Sequence, residues 1–187
     1  MFIQTEATPN PQVLKFLPGR AVLDDGGVEF PDAEAAARSP LASALFALDG
    51  VTKVYLGGDF LTVGKRDDRD WAHLKAPVLA AVMDHFTSGR PVLLREDGTA
   101  DETVYEGDTA QVVAEIKELL DAKIRPAVAQ DGGDIVFDRF NPETGVVYLH
   151  MRGACSGCPS SAMTLKAGVE NMLKHYVPEV TAVEATL

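Results

Sequence analysis

Cysteine is nearly absent: the 187 residues hold two, Cys155 and Cys158. Two thiols so close together cannot staple a chain of this length, so a disulfide framework is excluded and a reducing compartment is expected. Basic residues are the second shortage. Lys and Arg number 17 against 28 Asp and Glu, a net charge of -11, whereas nucleic-acid surfaces need clusters of Lys and Arg to neutralise phosphates. Nucleic acid is therefore not an expected partner. Long apolar runs are missing too. The longest, Ala76 to Met83, falls far short of the ~20 residues that span a bilayer, so no membrane span is expected. The opening residues include Glu6, Lys15 and no Arg before Arg20. They lack both the basic start and apolar run of a secretory signal and the Arg-rich, acid-poor pattern of a mitochondrial presequence. Neither signal is expected.

What is present is an ordinary globular composition, 46% hydrophobic and 24% charged, able to bury one large core or two small ones. Charge decides between them. Residues 88–108 carry 6 acidic and 2 basic side chains with no sustained helical period, and such acidic segments repel themselves and extend. The sequence therefore divides into a first domain over 1–87, an acidic linker over 88–108 and a second domain over 109–187. Val92 to Leu94 offer an alternative as an edge strand of the first domain.

In the first domain, Phe2–Thr5 and Val13–Phe16 read as strands around the turn Thr8-Pro9-Asn10-Pro11. Ser39 caps a helix that Pro40 opens and Gly50 ends. Val51–Leu56 and Phe60–Val63 form a hairpin, and a helix runs from Trp71 to Phe86. In the second, Asp108 and Gln111 resemble a capping box before a helix with Val112, Val113, Ile116, Leu119, Leu120 and Ile124 on one face. Pro126 should kink or end that helix. Strands over Asp134–Phe140 and Val146–Met151, a helix over Pro159–Tyr176 and a last strand near Val180–Val183 complete the order α-β-β-α-β. The class is α+β.

The chemistry sits in Gly153-Ala154-Cys155-Ser156-Gly157-Cys158-Pro159, between a strand and a helix. Cys-x-x-Cys lets two sulfurs approach one metal or each other, and the small residues around them let the backbone wrap closely and imply exposure. Pro159 suits a first helical position, so Cys158 lies near a helix N-terminus, where thiolate is favoured. Three chemistries compete. A thioredoxin-like redox unit needs further strands downstream, and only 29 residues follow Cys158. Structural zinc needs four ligands. His150 reaches toward the cysteines from its strand, but a strand-face role is the simpler reading. His175 lies 17 residues beyond Cys158, roughly 25 Å along a helix rising ~1.5 Å per residue. An iron–sulfur cluster takes four thiolates, which two chains would supply. Thiol–disulfide exchange by the same pair remains the alternative. Asp131-Gly132-Gly133-Asp134 lacks the alternating ligands of a calcium loop and reads as a turn with glycines at positive φ.

These residues also resemble a known family. Arg125-Pro126, Gln130-Asp131-Gly132-Gly133-Asp134-Ile135, the cysteine segment through Ser160-Ser161, and Thr164-Leu165 resemble the C-terminal domain of the NifU/Nfu family. Thr8-Pro9-Asn10-Pro11, Lys15-Phe16, Ser39-Pro40-Leu41-Ala42, Gly50-Val51 and Asp59-Phe60 are similar to the Nfu N-terminal domain. The resemblance implies a non-enzymatic iron–sulfur cluster scaffold or carrier. It would bind a cluster, typically 4Fe-4S with 2Fe-2S as the other form, between two subunits through Cys155 and Cys158. Apo iron–sulfur proteins would be the acceptors and upstream assembly proteins the donors. The further scaffold and ferredoxin-like domains of the longer nitrogen-fixation NifU bring their own cysteines, and no cysteine precedes Cys155 here, so the chain resembles the shorter Nfu carriers. Mitochondrial members of the family carry presequences, so the resemblance implies a bacterial cytoplasmic protein or a mature mitochondrial form.

Overall fold

The computed structural model describes residues 2–24, 26–94, 105–156 and 159–186, and of residues 159–162 the backbone alone. The chain divides into two compact units, Met1–Gly98 and Thr99–Leu187. Each combines helices with one sheet, the expected α+β class.

In the first unit β1 (Gln4–Ala7), β2 (Val13–Leu17), β3 (Val28–Phe30), β4 (Val51–Leu56) and β5 (Leu61–Lys65) form an antiparallel sheet of order β1-β2-β5-β4-β3. Successive side chains on a strand point to opposite faces. Phe16, Phe30, Val54, Leu56, Leu61 and Val63 accordingly enter the core, while Lys15, Glu29, Tyr55 and Thr62 alternate to the other face. Helices α1 (Pro40–Phe46) and α2 (Trp71–Ser88) cover the core face with Leu41, Leu45, Leu74, Val78 and Val82. The start of α1 follows the sequence: Pro40 opens it, and the Ser39 hydroxyl oxygen accepts from the Ala42 N–H at 3.1 Å. Two further short elements complete the unit, β3 and a 3-10 turn over Ala35–Arg38.

The second unit runs α3 (Gly107–Leu119), a π-helical turn (Leu120–Ile124), α4 (Arg125–Gln130), β6 (Gly133–Asn141), β7 (Val146–Gly153), α5 (Pro159–Tyr176) and β8 (Ala182–Thr186). β6 pairs antiparallel with β7, and β8 pairs parallel with β7. Val113 and Ile116 of α3 and Val169 and Leu173 of α5 share one core with Ile135, Val147 and Leu149.

Two expectations need correction and a third holds in part. Asp108 caps nothing: α3 starts at Gly107 and Asp108 lies in its first turn, where its charge still suits the positive helix end. Of the two outcomes expected at Pro126, an end is not seen but an interruption is: regular α-helix stops at Leu119 and resumes at Arg125. The wider π turn ahead of it relieves the clash between a proline ring and the carbonyl four residues back, so Pro126 falls in the first turn of α4. The edge-strand alternative also falls. Val92–Leu94 form no strand, but the Ser39 hydroxyl donates to Val92 O at 2.6 Å and Leu94 N donates to Arg38 O at 2.8 Å, which ties them to the first unit. Phe140 N donates to the Tyr105 hydroxyl at 2.8 Å, which ties residue 105 to the second. The middle of the expected linker, 95–104, lies outside the described residues.

Candidate metal-binding turn

β7 ends at Gly153 and α5 begins at Pro159, so the cysteine segment occupies a strand-to-helix turn. Gly153 takes φ +68° and Gly132, in the turn after α4, φ +77°, values that a side chain would strain. The two turns lean on each other: Ala154 N donates to Gly132 O at 3.1 Å. Ser156 closes the cysteine turn from within, its backbone N–H and its hydroxyl both donating to Gly153 O, at 3.2 and 3.0 Å. Gly133, also expected at positive φ, is instead the first residue of β6, paired in register with Gly153.

Cys155 is 8% exposed and belongs to the same buried cluster as Ile124, Val128 and Met151. This corrects the expectation of an exposed thiol outside the core. Small neighbours do let the backbone wrap closely, and the result is a sulfur tucked inward. Cys158 lies outside the described residues, one position before α5.

No spacing pattern announces the ion pair beside the turn. Arg125 Nε and Nη2 donate to Asp134 Oδ1 and Oδ2 at 2.8 and 3.1 Å, and its Nη1 donates to Asp121 Oδ1 at 2.9 Å. Asp134 is 4% exposed, and its Oδ1 also accepts from Ile135 N at 2.9 Å. The Asp134 carboxylate raises the Arg125 pKa, so the guanidinium remains cationic. Two-point pairing of this kind fixes orientation as well as distance, and here it locks α4 to β6 across the Gly132–Gly133 turn that supports the cysteine turn.

The histidines stay apart from it. Along β7, Val147, Leu149 and Met151 enter the core, so His150 alternates to the other face of the sheet, with its Nδ1 3.5 Å from the Thr186 hydroxyl. His175 is exposed at the far end of α5, edge-on to Tyr176. Among the described residues no group of three or more His, Cys, Asp or Glu converges. The first unit, which contains no cysteine, has a cavity of about 530 Å³ lined in part by Arg20, Val22, Phe86, Arg90 and Val92. No described helix is long and apolar enough to cross a membrane.

Two family models match the chain in sequence: the scaffold protein Nfu/NifU N-terminal domain over residues 3–89, and the NifU-like domain over residues 116–184. NifU-like protein 5, mitochondrial, of Arabidopsis thaliana is 54% identical over 185 residues, which cover 98% of this chain and 67% of that protein. The chain belongs to the NifU/Nfu family. Another relative of this NifU/Nfu chain is the NFU1 iron-sulfur cluster scaffold homolog, mitochondrial, of Drosophila virilis, 52% identical over 98% of this chain and 61% of its own length. The chain thus spans roughly two thirds of the length of these relatives. A solution structure of a NifU-like protein from Saccharomyces cerevisiae overlaps 51% of this chain and 87% of its own, at 25% identity and a TM-score of 0.47.

Proposed function

We propose that this NifU/Nfu chain is an iron–sulfur cluster carrier that holds its cargo between two copies through Cys155 and Cys158 and passes it to apo iron–sulfur proteins. The observation that carries the reading is one Cys-x-x-Cys per chain, placed at a strand-to-helix turn in a family with relatives named as iron–sulfur cluster scaffolds. Two thiolates are half of the usual ligand set, so two chains complete it. We read the cargo as 4Fe-4S, with 2Fe-2S as the smaller form. Transfer proceeds by ligand exchange: an acceptor thiolate takes the place of Cys155 or Cys158 on iron, and the released thiolate takes up a proton. No electron moves and no substrate is turned over. A reducing aqueous compartment suits such thiols; the bacterial cytoplasm is our reading, although the relatives described above are named as mitochondrial.

Anaerobic reconstitution with ferrous iron and sulfide should give a coloured dimer with one cluster per two chains by iron and sulfide analysis. A colourless monomer would overturn the reading. Cys158→Ser should abolish cluster uptake and leave the fold intact. Insulin reduction with a dithiol regenerant should stay at background, whereas sustained turnover would favour a thiol–disulfide oxidoreductase using the same pair.

A further inference from the structure

We propose that Gly133 is a positioning residue for Cys155: its bare Cα is the seat against which the thiol packs, and cargo loading requires the thiol to leave that seat. The inference rests on the carrier reading for its consequence, but the seat itself is a matter of geometry. A Cβ built on Gly133 would lie 2.3 Å from Cys155 Sγ, a distance that nonbonded atoms do not reach, and 3.1 Å from both Cys155 Cβ and Arg152 O. The sulfur therefore occupies the space that any other residue at 133 would fill. The backbone does not demand glycine there, because Gly133 is not among the residues at positive φ and sits in ordinary strand pairing with Gly153. What favours glycine is crowding, first by the thiol and then by the Arg152 carbonyl.

The parked thiol is 8% exposed, and a ligand to a cluster shared by two chains has to reach out of its own core. Two arrangements of the cysteine turn follow, one closed with Sγ on Gly133 and one open with Sγ available. A ligand that binds only the open form draws the population toward it, and its apparent affinity falls with the fraction that is closed. Gly133 sets that fraction.

In a Cys158→Ser background, which leaves Cys155 as the only thiol, Gly133→Ala should evict Sγ and speed alkylation of Cys155 by iodoacetamide at least ~10-fold, because labelling follows the open population. Circular dichroism and thermal melting should report a folded protein. An unchanged labelling rate in a folded variant overturns the proposal. Should Gly133→Ala prove too unstable to label, a double-mutant cycle decides. Combined with Cys155→Ala, which removes the colliding sulfur, the glycine substitution should lose most of its effect on the melting temperature, and full additivity overturns the seat. With both cysteines in place, Gly133→Ala should also load cluster faster than the unmodified chain. Failure of the unmodified chain to load at all would count against the carrier reading, while the labelling rates would still decide the seat.

Discussion

The two units share a plan, a sheet with helices on one face, but they bury polar groups differently. Among the described residues the first unit buries Asn10, Lys15, Ser39, Thr62 and His85, spread over its strands and helices. Several of these tie neighbouring segments, as Ser39 ties α1 to Val92. The second unit buries Asp134 and Cys155, the first next to Gly133 in the chain and the second packed against it. Polarity in the first unit serves cohesion wherever the chain needs it. In the second it is gathered at one end of the sheet, beside the cysteine turn.

That contrast can be broken from either side. The largest effect should come from Phe16→Ala: Phe16 is fully buried in the first core, and losing a buried Phe costs about 3–5 kcal/mol. Calorimetry should show the first unit's transition displaced and the second's in place, since the two buried clusters share no residue. Next comes Asp134→Ala, which strands part of the Arg125 guanidinium and orphans the Ile135 N–H. The cost should be about 2–3 kcal/mol, confined to the second unit and readable by urea unfolding. Ser39→Ala should cost the first unit about 1–2 kcal/mol through loss of the cap.

The smallest effect is a pH dependence. Burial, reinforced by Arg90, holds His85 below the ordinary histidine pKa, and neither ring nitrogen has a hydrogen-bond partner among the described residues. The unfolded chain therefore takes up that proton more readily than the folded one. The His85 contribution to the first unit's stability should be present above about pH 6.5 and be lost as pH falls below it. His85→Leu should flatten that slope in melts between about pH 7 and 5, and an unchanged slope would remove His85 as the cause.

The sequence was legible where local chemistry settles local structure. Ser39-Pro40 marked a helix start, and the 3.6-residue stripe from Leu165 through Val169, Met172 and Leu173 marked α5 within its observed bounds. It was illegible where the deciding contact is remote. No local pattern announces that Asp134 pairs with Arg125 across a turn, or that a π turn ahead of Pro126 keeps a helix going. The candidate ligands were readable by type and spacing, because Cys-x-x-Cys is a local motif. The burial of Cys155 was not, since it depends on a glycine 22 positions earlier that the sheet brings alongside.

The parallel pairing of β8 with β7 sets an order in time. A parallel neighbour can join only after a crossover, here the 18-residue helix α5 that follows the cysteine turn. As the chain is synthesised, both cysteines emerge before the strand that completes the sheet beside them. The thiols thus spend the first moments of the molecule's life beside an unfinished sheet, and the last strand to arrive completes the framework that holds them.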